Sequence, residues 1–276
     1  MRGRCGALAA LITVVSLIAA VAPSHAGGRA VVGVTPEGET CFLGGADGAN
    51  FIAAEQIVPS LGYSQAYTLI TLSGTLREVS AVGPAELTET GDCEASYGVE
   101  LALEDDQPGV FAVAVSGHEA DVKSLLPKAL AVKEPDERAR QVLTDHLKAA
   151  GIAEPELKFK QVLSVDLDGD GQDELVINAA RIGNDGAVAG DYSVLLVAGR
   201  EKVIPIRSDV VAAAEASSEE QAASLLNNQI VAILDIDADG KYEIVTYSAF
   251  DFGDGWDAAA IRGDRAEHVL WCGCGG

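Results

Sequence analysis

The stretch Gln161-Val162-Leu163-Ser164-Val165-Asp166-Leu167-Asp168-Gly169-Asp170-Gly171-Gln172-Asp173-Glu174-Leu175-Val176-Ile177 carries the reading of this chain. A short apolar run leads into an acidic, glycine-bearing bend, and a second β-branched run leads out, which reads as strand, loop, strand. The same design returns at 230–246, where Ile230 to Leu234 leads into Asp235-Ile236-Asp237-Ala238-Asp239-Gly240-Lys241-Tyr242-Glu243 and then Ile244-Val245-Thr246. Each unit continues alike. The first goes on to a strand over 192–197, a turn at Gly199-Arg200 and a strand over 202–206. The second goes on to a strand over 258–261, a turn at Gly263-Asp264 and a strand over 266–271. Residues 156–276 therefore read as a four-stranded meander used twice, a unit that stacks in propellers and related repeat architectures.

Working outward, residues 27–118 are β-rich. Residues 30–34 form one strand candidate, 66–72 and 76–82 flank Ser73-Gly74 as a hairpin, and 99–103 pairs with 110–115. Residues 119–155 are a helical connector. Pro135 fits a first helical turn, with Asp136 and Glu137 at its positive end. Val142, Leu143, Leu147 and Ala150 share one face, and Gly151 ends the helix. A short helix is also expected over 212–226. The predicted fold is mainly β with one principal helix, built from four-stranded β-meander repeats, propeller-like but incomplete.

Residues 1–26 read as a signal peptide: Arg2 and Arg4, an uncharged run over 7–22, then Ser24-His25-Ala26 as a cleavage site. The run is short for a membrane span, and nothing later is long and apolar enough, so no membrane insertion is expected once the leader is removed. Of the 19 basic residues Arg2 and Arg4 leave with the leader, so 17 face 42 acidic residues, a mature net charge of −25. Such a chain repels nucleic acid and anionic membranes, and it attracts cations. The expected location is the cell exterior, secreted or periplasmic.

Export makes disulfides chemically reasonable. Cys41, Cys93, Cys272 and Cys274 follow the leader and allow three connectivities, among which sequence does not choose. The preferred reading joins Cys41 to Cys93 and leaves Cys272-Gly273-Cys274 as a local bridge or a pair of thiols. Two sulfurs alone make an incomplete zinc set.

In both bends carboxylates stand at positions one, three, five and nine, with glycine at six. Calcium takes six to eight hard oxygens in a flexible shell. Alternating acids before a glycine turn can fold round one point, the seventh residue can offer its carbonyl, and the ninth-position glutamate closes the far side. The expected ligands are Asp166, Asp168, Asp170, Gln172 and Glu174 in one loop, and Asp235, Asp237, Asp239, Lys241 and Glu243 in the other. Two carboxylates about 5 Å apart at an effective dielectric near 20 repel by roughly 3 kcal/mol, so convergence calls for a cation. Magnesium, which prefers a stiff octahedron and keeps its waters, suits the loops less well. An EF-hand is excluded, because the twelfth positions are Ile177 and Thr246 between strands.

The motif Asp166-Leu-Asp-Gly-Asp-Gly-Gln-Asp-Glu-Leu-Val-Ile resembles the calcium loops of FG-GAP and VCBS repeats, found in integrin-type propellers and bacterial surface proteins. The resemblance covers residues 161–271 and implies two calcium sites, with side-chain ligands at positions one, three, five and nine and the carbonyl of position seven. The chain departs from that pattern in carrying glutamate at position nine, in lacking a Gly-Ala-Pro after a Phe-Gly pair, and in having two repeats, too few to close a ring.

Asp251-Phe252-Gly253-Asp254-Gly255-Trp256-Asp257 reads as a further acidic loop, more often a solvated turn than one that adds ligands or presents Trp256 to a partner. Evidence for catalysis is thin. His118, His146 and His268 show no metal-ligand spacing, and Gly62-Tyr63-Ser64-Gln65-Ala66 lacks the last glycine of a nucleophile elbow. The functional expectation is a secreted calcium-binding structural or interaction module, its partner an extracellular protein or glycan. The alternative is a secreted hydrolase in which calcium is only structural.

Overall fold

The computed structural model describes residues 28–74, 76–88, 96–104, 108–183, 187–212, 225–250 and 253–273. The leader reading at 1–26, most of the helix expected over 212–226, Cys93 and Cys274 fall wholly or largely outside these residues.

The N-terminal part supplies β1 (Arg29–Val34), β2 (Thr40–Asp47), β3 (Asn50–Ile52), the short helix α1 (Ala54–Ile57), β4 (Ala66–Ile70), β5 (Leu76–Ser80), β6 (Glu86–Thr88), β7 (Ser96–Gly98) and β8 (Ala112–Ser116). Six of these strands form an antiparallel sheet in the order β3-β2-β1-β8-β4-β5, and β6 pairs with β7. There follow α2 (Glu119–Lys123), β9 (Leu130–Val132) and α3 (Glu137–Ala149). The first meander is β10 (Phe159–Val165), β11 (Glu174–Arg181), β12 (Tyr192–Ala198) and β13 (Val203–Val210), with β9 added at its edge. The second is β14 (Asn227–Leu234), β15 (Glu243–Phe250), β16 (Gly253–Arg262) and β17 (Arg265–Gly273), paired in sequence order. The mainly β fold and the twofold meander are as the sequence predicts. None of the four sheets closes into a barrel or propeller.

Side-chain alternation shows how the layers stack, since successive residues of a strand face opposite sides. In β11 and β12, Leu175, Ile177, Val194 and Leu196 pack against Leu143 and Leu147 of α3. The alternate residues Val176, Leu195 and Val197 meet Ile230, Ile233 and Ile244 of the second meander. The other face of that meander, with Val231, Leu234, Val245 and Ala258, meets Val31, Val113 and Val115 of the N-terminal sheet. Ala30, Val32, Ala112 and Ala114 point away, toward Ile57 of α1. The order is therefore α3, first meander, second meander, N-terminal sheet, α1. This explains why β12 is buried along its whole length: a central strand of an inner layer has no wet face.

Four expectations need correction. Residues 99–103 do not pair with 110–115. β8 lies between β1 and β4, and Leu101 makes only an isolated bridge to Ala81. The uninterrupted apolar run of β8 suits a central strand, whereas Glu100 and Glu104 interrupt the other segment and keep it at the rim. Pro135 precedes the principal helix rather than opening it: Asp136 is the N-cap, its Oδ1 accepting from the Ala139 N–H at 2.8 Å. Gly151 does adopt the left-handed conformation (φ +102°) at the helix end.

Cys41 bonds Cys272, not Cys93. Strand β17 packs beside β2, and both sulfurs meet at the central core with Cα atoms 6.1 Å apart across 231 residues of sequence. The acidic loop read over 251–257 is also revised. Asp251 and Phe252 lie outside the described residues, and Gly253 onward is strand β16. Trp256 faces inward, 3% exposed, in edge-to-face contact with Tyr247 and Phe111 and lying on Gly33. It cannot be presented to a partner, because strand alternation turns it into the core. Asp254, on the same strand, accepts the Tyr247 hydroxyl at 2.7 Å.

Candidate metal centre

Both acidic loops are built to one plan. Val165 pairs with Glu174 across the β10–β11 ladder, and Leu234 pairs with Glu243 across β14–β15, so the ninth-position glutamate opens the second strand each time. The second-position side chains, Leu167 and Ile236, are buried and anchor the loops to the core. Positions four and six take the left-handed conformation in both: Gly169 (φ +76°) and Gly171 (φ +86°), Ala238 (φ +58°) and Gly240 (φ +86°). Among the described residues Ala238 is the only non-glycine there, at a cost of about 1 kcal/mol.

Hydrogen bonds follow nearly the same scheme, differing in that the first-position aspartate bonds the N–H of position four in one loop and of position five in the other. Asp166 accepts from the N–H groups of Gly169 (2.8 Å) and Gly171 (2.9 Å), as Asp235 accepts from those of Asp239 and Gly240 (both 3.0 Å). Asp168 accepts from the Asp170 N–H at 3.1 Å, and Asp237 from the Asp239 N–H at 3.2 Å. Asp170 and Asp239 accept from the N–H groups of Gln172 and Lys241 at 2.7 and 2.8 Å. Glu174 and Glu243 reach back to the N–H groups of Leu167 and Ile236 at 2.9 and 2.8 Å. Ordinary acidic turns have no reason to repeat so long a scheme. The carboxylates are oriented by their own backbone, with Asp168, Asp170 and Asp239 exposed, and each oxygen that accepts one N–H keeps a further lone pair.

Two groups of side chains converge. Asp166, Asp168 and Glu174 offer oxygens within 4.8 Å of one another, as do Asp235, Asp237 and Asp239. Asp170 and Glu243 belong to the loops but stand outside these tightest groups, and Gln172 and Lys241 would contribute only backbone carbonyls. The loops also touch each other. The Tyr242 N–H donates to the Leu167 carbonyl at 2.9 Å, and a Cβ on Gly169 would lie 3.2 Å from the Gly240 carbonyl oxygen. Between them lies a cleft of about 370 Å³ whose rim includes Asp168, Asp170, Glu174, Asp239, Lys241 and Arg262.

Crowding of acids shows in their proton affinities. Burial, then repulsion from neighbouring aspartates, raises Glu174 above the ordinary carboxylate value against the Leu167 hydrogen bond that lowers it. Asp235 is raised for the same leading reason. Glu243, 2% exposed, is pushed up to about 8, by burial first and by Asp237, Asp235 and Asp239 in addition. Protons are one remedy for such crowding, and a divalent cation held by hard oxygens is the other.

Sequence reasoning did not foresee the arginines. The Arg29 Nη1 donates to the Ile236 carbonyl at 2.6 Å. Arg262, from the β16–β17 hairpin, stands 3.6 Å from Asp237 and 3.7 Å from Asp239. Nothing local in the sequence ties either residue to the loop, because tertiary packing alone brings them there. The first loop has no ion pair of this kind among the described residues. Its eighth-position Asp173, where the second loop has Tyr242, instead accepts from the Ser164 hydroxyl at 2.6 Å.

No catalytic constellation forms around the weak enzyme signals among the described residues. Ser64 sits in an exposed turn. His118 faces Glu78, His146 bonds the Ser208 hydroxyl at 2.8 Å, and His268 bonds Asp257 at 2.6 Å, each at the surface.

Fold and loops together define a layered, mainly β protein with two acidic clusters of a kind that could hold metal. Profiles of known families, curated proteins and solved structures, compared with the chain, return no match.

Proposed function

We propose that this is an exported calcium-binding structural or interaction module, with a calcium site in each β-meander loop as in FG-GAP and VCBS repeats. The observation that carries the reading is the repetition of one loop plan with most of its hydrogen bonds, and three carboxylates converging within 4.8 Å in each loop, at positions one, three and nine in the first and one, three and five in the second. Calcium would supply charge neutralisation and a rigid oxygen shell. The protein's own residues do the rest. Leu167 and Ile236 anchor the loops, the backbone N–H groups orient the aspartates, and the Tyr242–Leu167 hydrogen bond links one site to the other. Because each loop joins the first two strands of a meander, filling it would pin both sheets at their shared end. The Cys41–Cys272 bridge and the leader-like residues 1–26 support action outside the cytoplasm. The cleft between the loops is the natural place for an extracellular protein or glycan to reach a loop-bound cation.

The test is thermal melting of the mature chain in excess chelator and with calcium or magnesium chloride added. Ligand at about a hundred times its dissociation constant adds roughly 2.7 kcal/mol. Calcium should raise the melting temperature well beyond magnesium, and Asp168→Ala should remove most of that gain. Identical melts in calcium and chelator would end the proposal.

A further inference from the structure

The two loops share a backbone but not an electrostatic state. The first clusters Asp166, Asp168 and Glu174 with no basic side chain bonded to them among the described residues. In the second, the Arg262 guanidinium lies against Asp237 and Asp239. This is not a stray surface contact. Asp237 is 3% exposed, and the Arg262 side chain is half-buried, 37% exposed. Its guanidinium carbon lies 5.8 Å from the centroid of the Phe51 ring on β3, and Glu267 of β17, itself hydrogen-bonded to Arg265, stands 4.0 Å from its Nε. Two aspartates, a glutamate and an aromatic face therefore hold the cation in place from three different elements, a pocket of the kind that favours guanidinium.

We propose that Arg262 is a resident counter-ion for the second loop, so that calcium fills the first loop readily and the second only by displacing the guanidinium. The inference rests on the calcium reading of the loops and makes their affinities unequal. A divalent ion entering the first loop meets uncompensated carboxylates. One entering the second must break two partly buried ion pairs and move Arg262 off Phe51. The separation between the two binding constants should be at least about tenfold. The loops are in contact, and Arg262 belongs to the rim of the cleft they share. Displacement would therefore turn a cation outward beside the first site, making the second loop responsive over a higher range of calcium concentration.

Calorimetric titration of the mature, disulfide-intact chain with calcium chloride tests this. Wild type should show one strong step, abolished by Asp168→Asn, and a second at least about tenfold weaker. Arg262→Gln should strengthen the second step about tenfold or more and leave the first in place, while Arg262→Lys, which keeps a charge but not the planar fork, should fall between them. Two equal steps in wild type would overturn the inference while leaving calcium binding intact, and so would a second step indifferent to Arg262→Gln in a variant that melts cooperatively. No heat from wild type or from any variant would defeat the calcium reading itself. Because the wild-type titration alone discriminates, a variant that fails to fold does not shelter the proposal.

Discussion

Glu243 offers a quantitative test of the crowding in the second loop. Its carboxyl is 2% exposed, accepts one N–H at 2.8 Å and faces three aspartates, which with burial raise it from the ordinary 4.5 to about 8. A carboxyl that holds its proton more tightly in the folded chain favours folding most below its ordinary value. That contribution fades as the pH climbs through about 8. At about 1.4 kcal/mol for each tenfold change in proton affinity, the whole effect is on the order of 5 kcal/mol. Glu174 and Asp235, also raised, act in the same sense, and so does His268, raised chiefly by its hydrogen bond to Asp257. The assay is urea unfolding of chelated protein at about pH 5.5 and about pH 8.5, for wild type and Glu243→Gln. Wild type should be less stable at the higher pH by several kcal/mol, and the glutamine variant, which cannot ionise, should lose much of that dependence. Calcium should cancel the loss, because the cation takes the place of the proton. A metal-free stability that is flat or rising between these pH values, with the Glu243→Gln variant behaving as wild type, would refute the reasoning.

Three further outcomes follow from packing. Gly33→Ala places a Cβ 2.2 Å from the Trp256 ring, and the N-terminal sheet cannot retreat from the second meander, so a loss of about 2–3 kcal/mol is expected in denaturant titration followed by tryptophan fluorescence. Cys272→Ala frees a loop of 231 residues, for which chain entropy predicts a loss of about 5.5 kcal/mol; peptide mapping without reductant should find Cys41 joined to Cys272 in wild type. Gly169→Ala puts a side chain on a φ of +76° and within 3.2 Å of Gly240, and should cost about 1–2 kcal/mol, whereas Ala238→Gly at φ +58° should be neutral or slightly stabilising by thermal melting.

Much of the architecture could be read from local pattern. All eight meander strands overlap the runs read from the sequence, although β16 begins at Gly253, five residues before its apolar run; an inner strand such as β12 must be apolar throughout, and a tight turn needs its glycine. The hairpin of β4 and β5 and the termination of α3 at Gly151 were legible for similar reasons. Readings failed where the partner of a segment is distant in sequence. β8 could have paired with several apolar runs, and its neighbours β1 and β4 lie 78 and 42 or more residues earlier in the chain. Trp256 sits in a glycine-aspartate setting that reads as a surface turn, and only the bare backbone of Gly33, 223 positions earlier, makes room for its ring.

The candidate site divides in the same way. Sequence by itself determined the carboxylate pattern of the two loops, since carboxylate spacing and glycine position are properties of nine consecutive residues. Tertiary structure alone decided which of those oxygens converge, that the two loops touch, that Cys41 meets Cys272, and that Arg262 stands against one loop but not the other. The physical reason is range. Turn geometry and strand alternation act over a few bonds, whereas burial, ion pairing and repulsion act between groups that only the stacking of separate sheets brings within a few ångströms.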